Sequence, residues 1–552
     1  MKSISGKILK LLRSVIGMTL LIAGCGDVRQ SPFEEKSYAP ELVENRSIYQ
    51  NEPQSVLAVH ITTLPEPGGF TLDDVNNDND PFDTFEPEVK VLFKEGKFGQ
   101  NLTVANAALR QRGHSTREAL QKSYRVKLFS STELWRNNRS IHLMKHPYDL
   151  TRVRNKLSYD LFKTIPDFVG AQVLFVHLYI DETDYGLYTT IDNFDKYYLQ
   201  QRGFTKGQLY KAENFTFNLS KFLKLKEDPA YNIEDFETVL GIDGNDDHSK
   251  LIHMLKDINN YSIPINTVID RYFNKSNYLT WLAINILTGN FDTFAQNFYL
   301  YSPKNSQYWY FFPWDYDGAW GFNFQPNENG KNVKRWNLGI SNWWNSILHQ
   351  RFLMVPENMG LLNKKIDEIK TKYLNPSKIQ NLLEQYKIMV RPVVTVKPDL
   401  FLLPTKNDND QIGEYDQEFS KLAEQIEIHY QLYKNAEERP MPIFLGKPEL
   451  LNGEWFFQWE ASYDLQGDAI TYDFQISTNP LFSAPDIVFA ALSLPENVLS
   501  YSVALNPGTY YWRIIIRDTK NPQENWQIPY DSYVVNRVRY DGILKLVVPS
   551  VP

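Results

Sequence analysis

A single cysteine, Cys25, stands in the 552 residues. One thiol excludes an intramolecular disulfide, a four-cysteine zinc site and an iron–sulfur cluster. Beyond the N-terminus no run of about 20 apolar residues occurs, so the body offers no helical membrane span. Excess positive charge is missing as well: 58 Lys and Arg face 66 Asp and Glu, a formal charge of −8, which argues against a nucleic-acid binder with a strong basic field. The phosphate-binding G-x-x-x-x-G-K-[ST] loop, the G-x-G-x-x-G fingerprint, the G-x-S-x-G elbow and H-E-x-x-H are all absent. The nine histidines are scattered. What is present is a globular composition, 42% hydrophobic and 22% charged, with length for three to four domains at ~150 residues each. Aromatics are plentiful, with 33 Tyr, 33 Phe and 12 Trp. Most such rings fill core, but they also suit clefts that stack on ligands.

Cys25 sits in an ordered context. Lys2, Lys7, Lys10 and Arg13 form a positive segment, and Ser14–Ala23 is an apolar run too short to span a bilayer but right for a signal peptide. The run closes on Ile22-Ala23-Gly24-Cys25, which resembles a bacterial lipobox. The resemblance implies cleavage after residue 24, acylation of Cys25, and attachment to a lipid bilayer of the bacterial cell envelope, with an outer-membrane or cell-surface position favoured. Cleavage removes four positive and no negative charges, taking the formal charge from −8 to −12. Residues 25–55, with Pro32, Pro40 and Pro53 and no apolar period, read as a tether.

From Val56 to about Tyr188 short β-branched and aromatic runs predict strands at Val56–Ile61, Val89–Phe93, Tyr124–Phe129 and Val173–Ile180, with a helix at Arg152–Lys163. Beyond about Asn193 helices dominate: Ser276–Leu287 with Ser276 as its cap, Leu361–Tyr373, Ser377–Met389 and Glu418–Tyr433. A β-rich region followed by a helix-rich one predicts an α+β domain of two lobes with a cleft between them. From about Pro442, strands at Trp455–Trp459, Ile470–Ile476, Tyr501–Leu505 and Tyr510–Ile516 predict an all-β sandwich, with a β-extension of the main body as the alternative. The run Pro507-Gly-Thr-Tyr-Tyr-Trp-Arg513 resembles bacterial fibronectin type III domains, which would make residues 442–549 an immunoglobulin-like sandwich with Trp459 in its core.

The densest polar and aromatic constellation is Asn290-Phe-Asp-Thr-Phe-Ala-Gln-Asn297 followed by Trp309-Tyr-Phe-Phe-Pro-Trp-Asp-Tyr-Asp-Gly318. The joining segment reads as a hairpin that brings Asp292 and Asn297 near Asp315 and Asp317. Four oxygen-bearing side chains in one cleft suit a hard divalent cation. A protein kinase is laid out in this way: a base Asp, a metal-binding Asn five residues later, and a second metal Asp on a following hairpin strand. Spacing alone favours caps and turns over a metal site, since Asp and Asn serve both.

Several motifs occur in one order along the chain: Arg112-Gly-His-Ser-Thr116, Lys122-Ser-Tyr-Arg-Val-Lys-Leu128, Arg154-Asn-Lys-Leu157, Tyr185-Gly-Leu-Tyr188, Leu209-Tyr-Lys211, the Asp292 segment, and Pro313-Trp-Asp-Tyr-Asp-Gly318. Together they resemble the spore coat protein H (CotH) kinase family. The resemblance implies an atypical protein-kinase-like fold over 56–438, with an N-lobe to about 192 and a C-lobe from 193. It also implies transfer of the ATP γ-phosphoryl group to Ser or Thr of exported proteins, with Mg²⁺. Carried over, Asp292 becomes the catalytic base, Asp315 the principal Mg²⁺ ligand, and Asn297 and Asp317 its helpers. Tyr210 and Trp309 resemble the pair that sandwiches adenine, with core packing as the alternative. Lys122 and Lys127 are both candidates for the phosphate-binding lysine. Five apart in a strand, they face opposite sides, so one points into the cleft, and Lys122 is slightly favoured. Arg112 is a further phosphate ligand. Two positions depart from the family pattern: His114 replaces an Asn, and Asp192 replaces a Glu that would pair with the lysine.

Asp74, Asn76 and Asp78 are spaced like the first ligands of a Ca²⁺ loop, without the Gly or distal Glu that would complete it; a solvated acidic turn is the other reading, and Asp243–Asp247 is read as such a turn. A different functional class also stands open, a surface adhesion or scaffolding lipoprotein whose kinase-like domain only binds a partner. The mature negative charge favours basic, Ser-rich protein substrates, and glycan binding by the C-terminal sandwich is compatible with either class.

Overall fold

In the computed structural model, residues 40–80, 85–113, 115–325 and 333–550 are described. Residues 1–24, which carry the expected signal segment, Cys25 and His114 lie outside them. Ala39–Glu438 and Arg439–Pro552 are separate compact units.

The first unit opens with a barrel whose inward positions are apolar. Its strands are β1 (Leu57–Thr63), β2 (Val89–Glu95), β3 (Ala107–Arg112), β4 (Ser123–Leu128), β5 (Ser140–Met144), β6 (Val173–Ile180) and β7 (Thr183–Ile191), closed in the order β1-β2-β3-β4-β5-β7-β6. All pairs are antiparallel except β1 on β6, which closes the ring in parallel. Along β4, Tyr124, Val126 and Leu128 point inward to a core shared with Val59, Ile61, Val91, Phe93, Leu109, Leu143 and Val176, while Arg125 and Lys127 point out. Strands β3 and β5 escaped the sequence reading because their outward positions carry Arg110, Arg112 and His142 rather than β-formers.

Removing β1 and β2 should therefore abolish folding of this unit. Leu57, Val59, Ile61, Val89, Val91 and Phe93 are all buried in the barrel, and at ~1.5–3 kcal/mol each their loss exceeds or matches the ~5–15 kcal/mol stability of a domain. Residues 107–438 should show no cooperative thermal transition, whereas residues 40–438 should.

The segment 40–54, read as tether, is packed onto this unit. Leu42 and Glu44 are buried; Glu44 pairs with Arg202 at 3.0 Å and accepts from the Tyr49 hydroxyl, and the Pro40 carbonyl accepts from Asn274 and Tyr310 at 2.9 Å. Ion pairs and caps rather than an apolar stripe hold it, which is why periodicity gives no sign of it.

After the barrel come β8 (Gly207–Ala212), β9 (Leu240–Ile242), β10 (Phe298–Pro303) and β11 (Tyr310–Pro313), in a sheet of order β11-β10-β8-β9. The expected hairpin is β10–β11, with Phe298 opposite Pro313. One sheet face packs on the helix Lys275–Thr288 through Trp281, whose ring lies 4.7 Å from that of Phe311. That helix is capped by Asn274, which accepts from the Asn277 amide at 2.9 Å, rather than by Ser276. Helices Pro356–Lys372, Pro376–Val394, Gln411–Ser420 and Gln425–Glu437 follow; the last two were read as one.

The second unit is all-β. A three-stranded sheet (Glu449–Leu451, Glu454–Gln458, Ser500–Val503) and a larger one built on Ile470–Ser477 and Gly508–Asp518 supply one core of Phe457, Trp459, Tyr472, Phe474, Trp512 and Ile514. The chain is thus α+β with an all-β C-terminal unit.

Candidate functional site

The helix Lys275–Thr288 ends on Gly289 in the left-handed region, φ 64°. A side chain there would strike His429, which lies 2.1 Å from where a Cβ would stand, so glycine is required on both counts. The chain then turns sharply through Asn290 and Asp292 into β10. Gln296 Nε2 and Asn297 Nδ2 each donate to an Asp292 oxygen at 2.8 Å. Asn290 Nδ2 reaches the Asp315 carbonyl at 3.3 Å, tying this turn to the loop after β11.

That loop is bent at Asp315, φ 57°, a conformation Asp tolerates better than most residues. Helix Arg154–Phe162 grips it. Asn155 Oδ1 accepts from the Tyr316 amide at 3.1 Å, Tyr159 donates to the Pro313 carbonyl at 3.0 Å, and Ser158 Oγ accepts from Trp320 Nε1 at 2.7 Å. The Arg154-Asn-Lys-Leu157 motif thus shapes the Asp315 loop.

The carboxylates that result are close enough to repel. Burial, then Asp317 and Asp292, push Asp315 up to about 7, against the pull of His146 and Arg112. Burial raises Asp292 as well, with Asp317 adding to it and the Gln296 and Asn297 amides opposing. Asp292 is exposed, its two carboxylate oxygens held by Gln296 and Asn297. Asp315 Oδ1 and Asn290 Oδ1 are buried without a hydrogen-bond partner. Oxygen atoms in that condition fit a hard divalent cation. Among the described residues no three His, Cys, Asp or Glu side chains already surround one point, so an ion held by Asp315 and Asp317 would take further positions from amide, water or phosphate oxygens, as Mg²⁺ does.

Facing these acids is the outer side of the barrel. Arg110, paired with Glu86, stands opposite Arg125, and Arg125 opposite His142, whose charged form burial disfavours. Arg112, on the same side of β3, has Asp315 as its foremost attractive partner, with burial lowering its pKa. Arg112 therefore faces Asp315.

The lysines do not. Lys122 precedes β4, its ammonium directed to the Arg117 carbonyl and, at 3.4 Å, to Asn79 Oδ1, away from the acids. Lys127 is exposed on the outer side of β4, lining a hollow with Glu88, Arg110 and Arg125. The basic groups that act on Asp315 are instead His146 and Arg112. Nor do Tyr210 and Trp309 leave a slot for adenine. Both are fully buried with ring centroids 6.0 Å apart, against roughly 7 Å between rings that hold a base at two stacking distances. Register explains this: Tyr210 lies opposite Leu300, next to Phe311, on the face packed against the helix, whereas Tyr299, Lys211 and Phe312 share the other face. Asp192 pairs with Arg202 at 2.6 Å and accepts from the Gln172 amide and Asn138, so its shorter reach concerns an arginine, not a lysine.

The Ca²⁺ loop is a helix cap. Asp74 closes a capping box with Thr71, Asn76 accepts from the Tyr124 hydroxyl at 2.7 Å, and Asp78 pairs with Arg117 at 2.5 Å, so the three diverge. Of the Asp243–Asp247 turn, Asp246 pairs with Lys226, but Asp243 is enclosed enough that burial raises it to about 6.

Three groups went unread. His146 places Nδ1 2.9 Å from Asp317 Oδ2. Asn155 holds the loop backbone. Phe194, Tyr299 and Trp314 form an aromatic wall, with Phe194 stacked 5.1 Å from Tyr299 and Tyr299 5.5 Å from Trp314. A lone His before a Pro carries no spacing signal, and an aromatic in a strand reads as core. The Arg154 motif was the sole sign of Asn155.

Comparison with known proteins bears on the same stretch. A family model described as CotH kinase protein matches residues 109–431, from β3 to the helix Gln425–Glu437 and more than half of the chain. The inner spore coat protein H of Bacillus subtilis (strain 168) is 27% identical over 329 residues, 59% of this chain and 85% of that protein. The matched span contains Asp292, Asn297, Asp315, Asp317, Arg112 and the helix that grips their loop. The chain belongs to the CotH kinase family.

Proposed function

We propose that this chain is an atypical protein kinase that transfers the ATP γ-phosphoryl group to Ser or Thr of exported proteins. The observation that carries the reading is the convergence of Asp292, Asp315 and Asp317 opposite Arg112, inside the family-matched span. In it the barrel and the helical region act as the two kinase lobes. Asp315 and Asp317 hold Mg²⁺, which when bound neutralises phosphate charge. Arg112 grips phosphate oxygens, its planar fork matched to them. Asp292 accepts the substrate hydroxyl proton as the Ser oxygen bonds to the γ-phosphorus and the bond to the β-phosphate oxygen breaks, releasing ADP.

The lipobox-like Ile22–Cys25 run supports an acylated anchor on the bacterial envelope, and the spore-coat naming of the Bacillus relative accords with an exterior placement. Among the described residues no helix is long and apolar enough to cross a membrane. The all-β C-terminal unit with its buried Trp459 supports the fibronectin type III-like reading over 442–549.

Calorimetry tests the reading. Residues 26–552 should bind ATP with Mg²⁺ at micromolar affinity, and Arg112→Ala should weaken this by ~10–100-fold, the worth of a charge-assisted contact. Lys122→Ala should stay within a few-fold. No binding by the wild type would favour the scaffolding role.

A further inference from the structure

His146 has an unusual support. Its ring spans Asp317 Oδ2 and Thr189 Oγ1, each at 2.9 Å. Because an ionised carboxylate only accepts, Nδ1 donates to Asp317. The residue stands at φ 51°, a strained setting that persists only if its surroundings impose it. They do so through a buried polar network. Arg152 Nη1 donates to the Lys145 and His146 carbonyls at 3.1 and 2.5 Å, and Nη2 donates to Gln121 Oε1 at 2.8 Å. Gln121 Nε2 donates in turn to Asp399 Oδ1 at 3.0 Å. Lys145 pairs with that same oxygen at 2.7 Å, both side chains fully buried, and donates to the Tyr185 carbonyl at 2.7 Å.

Lys145 and Gln121 thus converge on one oxygen of Asp399, which follows Asp317 far along the chain. Its second oxygen accepts from the Leu187 amide at 2.6 Å. It comes so close to Gly186, φ 77°, that a Cβ there would stand 2.1 Å from Oδ2. The glycine of Tyr185-Gly-Leu-Tyr188 therefore exists to admit Asp399. A buried charge pair with this many neutral donors is satisfied and rigid, and removing one member is costly to the geometry around it.

We propose that Asp399 is a positioning residue for the metal end of the cleft: through Lys145, Gln121 and Arg152 it fixes the turn that presents His146 to Asp317. The proposal rests on the kinase reading above, because Asp317 matters there as a holder of the divalent ion. Partners of this kind, one shell removed from the ion, typically change metal affinity by ~10–100-fold.

The test is Mn²⁺ affinity of residues 26–552, read from the free-ion electron paramagnetic resonance signal with a non-hydrolysable ATP analogue present, well below each variant's melting temperature. Asp399→Asn and Gln121→Leu should each weaken Mn²⁺ by about 10-fold. His146→Ala should do the same, and adding Asp399→Asn to it should cost nothing further, because the two act through one contact. Folded Asp399→Asn and Gln121→Leu proteins with wild-type Mn²⁺ affinity would overturn the proposal, as would effects that multiply in the double variant. Should Asp399→Asn not fold, Gln121→Leu, which leaves the charge pair intact, decides alone. A wild type that binds no Mn²⁺ would defeat the kinase reading itself and this proposal with it, a result distinct from an unresponsive variant.

Discussion

Asp315→Ala lowers phosphoryl transfer by ~10³-fold or more, and Asp315→Asn, which tolerates the positive φ of that position, is no less stable than the wild type. The first half follows from the role of a metal ligand: stabilising phosphate charge through transfer is worth several kcal/mol, and ~4 kcal/mol is ~10³ in rate. The second half follows from the site's electrostatics. Burial and the neighbouring Asp317 and Asp292 push Asp315 up to about 7 in the metal-free protein, so at neutral pH the folded state holds an acid that would ionise freely once unfolded. A carboxyl whose folded pKa is raised contributes stability at low pH that is lost as pH rises toward that pKa. Between pH 4 and pH 7, with chelator present, the wild type should therefore lose stability relative to Asp315→Asn. Thermal melts of the two at pH 4.5 and 7.5 check the sign: the melting temperature of the variant minus that of the wild type should grow with pH. Such a trade of stability for activity is common at functional sites.

Asp292→Asn should reduce kcat by ~10²–10⁴-fold, the usual worth of a positioned base, and leave the KM for ATP nearly unchanged. The amide is the same size and keeps one acceptor for Gln296 or Asn297, the other neighbour turning its own amide oxygen toward the new N–H, so the turn is kept while proton acceptance is lost. Steady-state kinetics on a Ser-rich peptide separate the two parameters. A rise in KM with kcat intact would place Asp292 among the nucleotide-binding groups instead.

The parts of this molecule that sequence revealed are those written in a short local code. Strand β6 matches its reading at Val173–Ile180 because every second or consecutive residue there is apolar. The β10–β11 hairpin was legible because a turn at Pro303–Ser306 separates two aromatic runs, and that hairpin is what assembles Asp292, Asn297, Asp315 and Asp317. Less was legible where partners are remote. Tyr210 and Trp309 were read by resemblance as a cleft pair, and only the register of Tyr210 opposite Leu300 puts them on the helix-packed face. Strand parity turns only one of Lys122 and Lys127 into the cleft and the family-like Lys-Ser-Tyr favours Lys122, yet Lys122 stands one residue before β4, where alternation no longer dictates direction. His146 and Asp399 could not be found along the chain, since each acts through a residue distant in sequence. The acidic run at Asp73–Asp80 misled because helix caps, turns and calcium loops draw on the same residue types.

The most direct measurement is transfer itself. Residues 26–552 are incubated with γ-labelled ATP and Mg²⁺, and labelled residues are mapped in the protein and in exported proteins from the same cell by mass spectrometry. The account predicts phosphoserine or phosphothreonine formed by the wild type and lost in both Asp292→Asn and Asp315→Ala. Equal labelling by the wild type and Asp315→Ala, or none by a wild type that binds ATP, would contradict it.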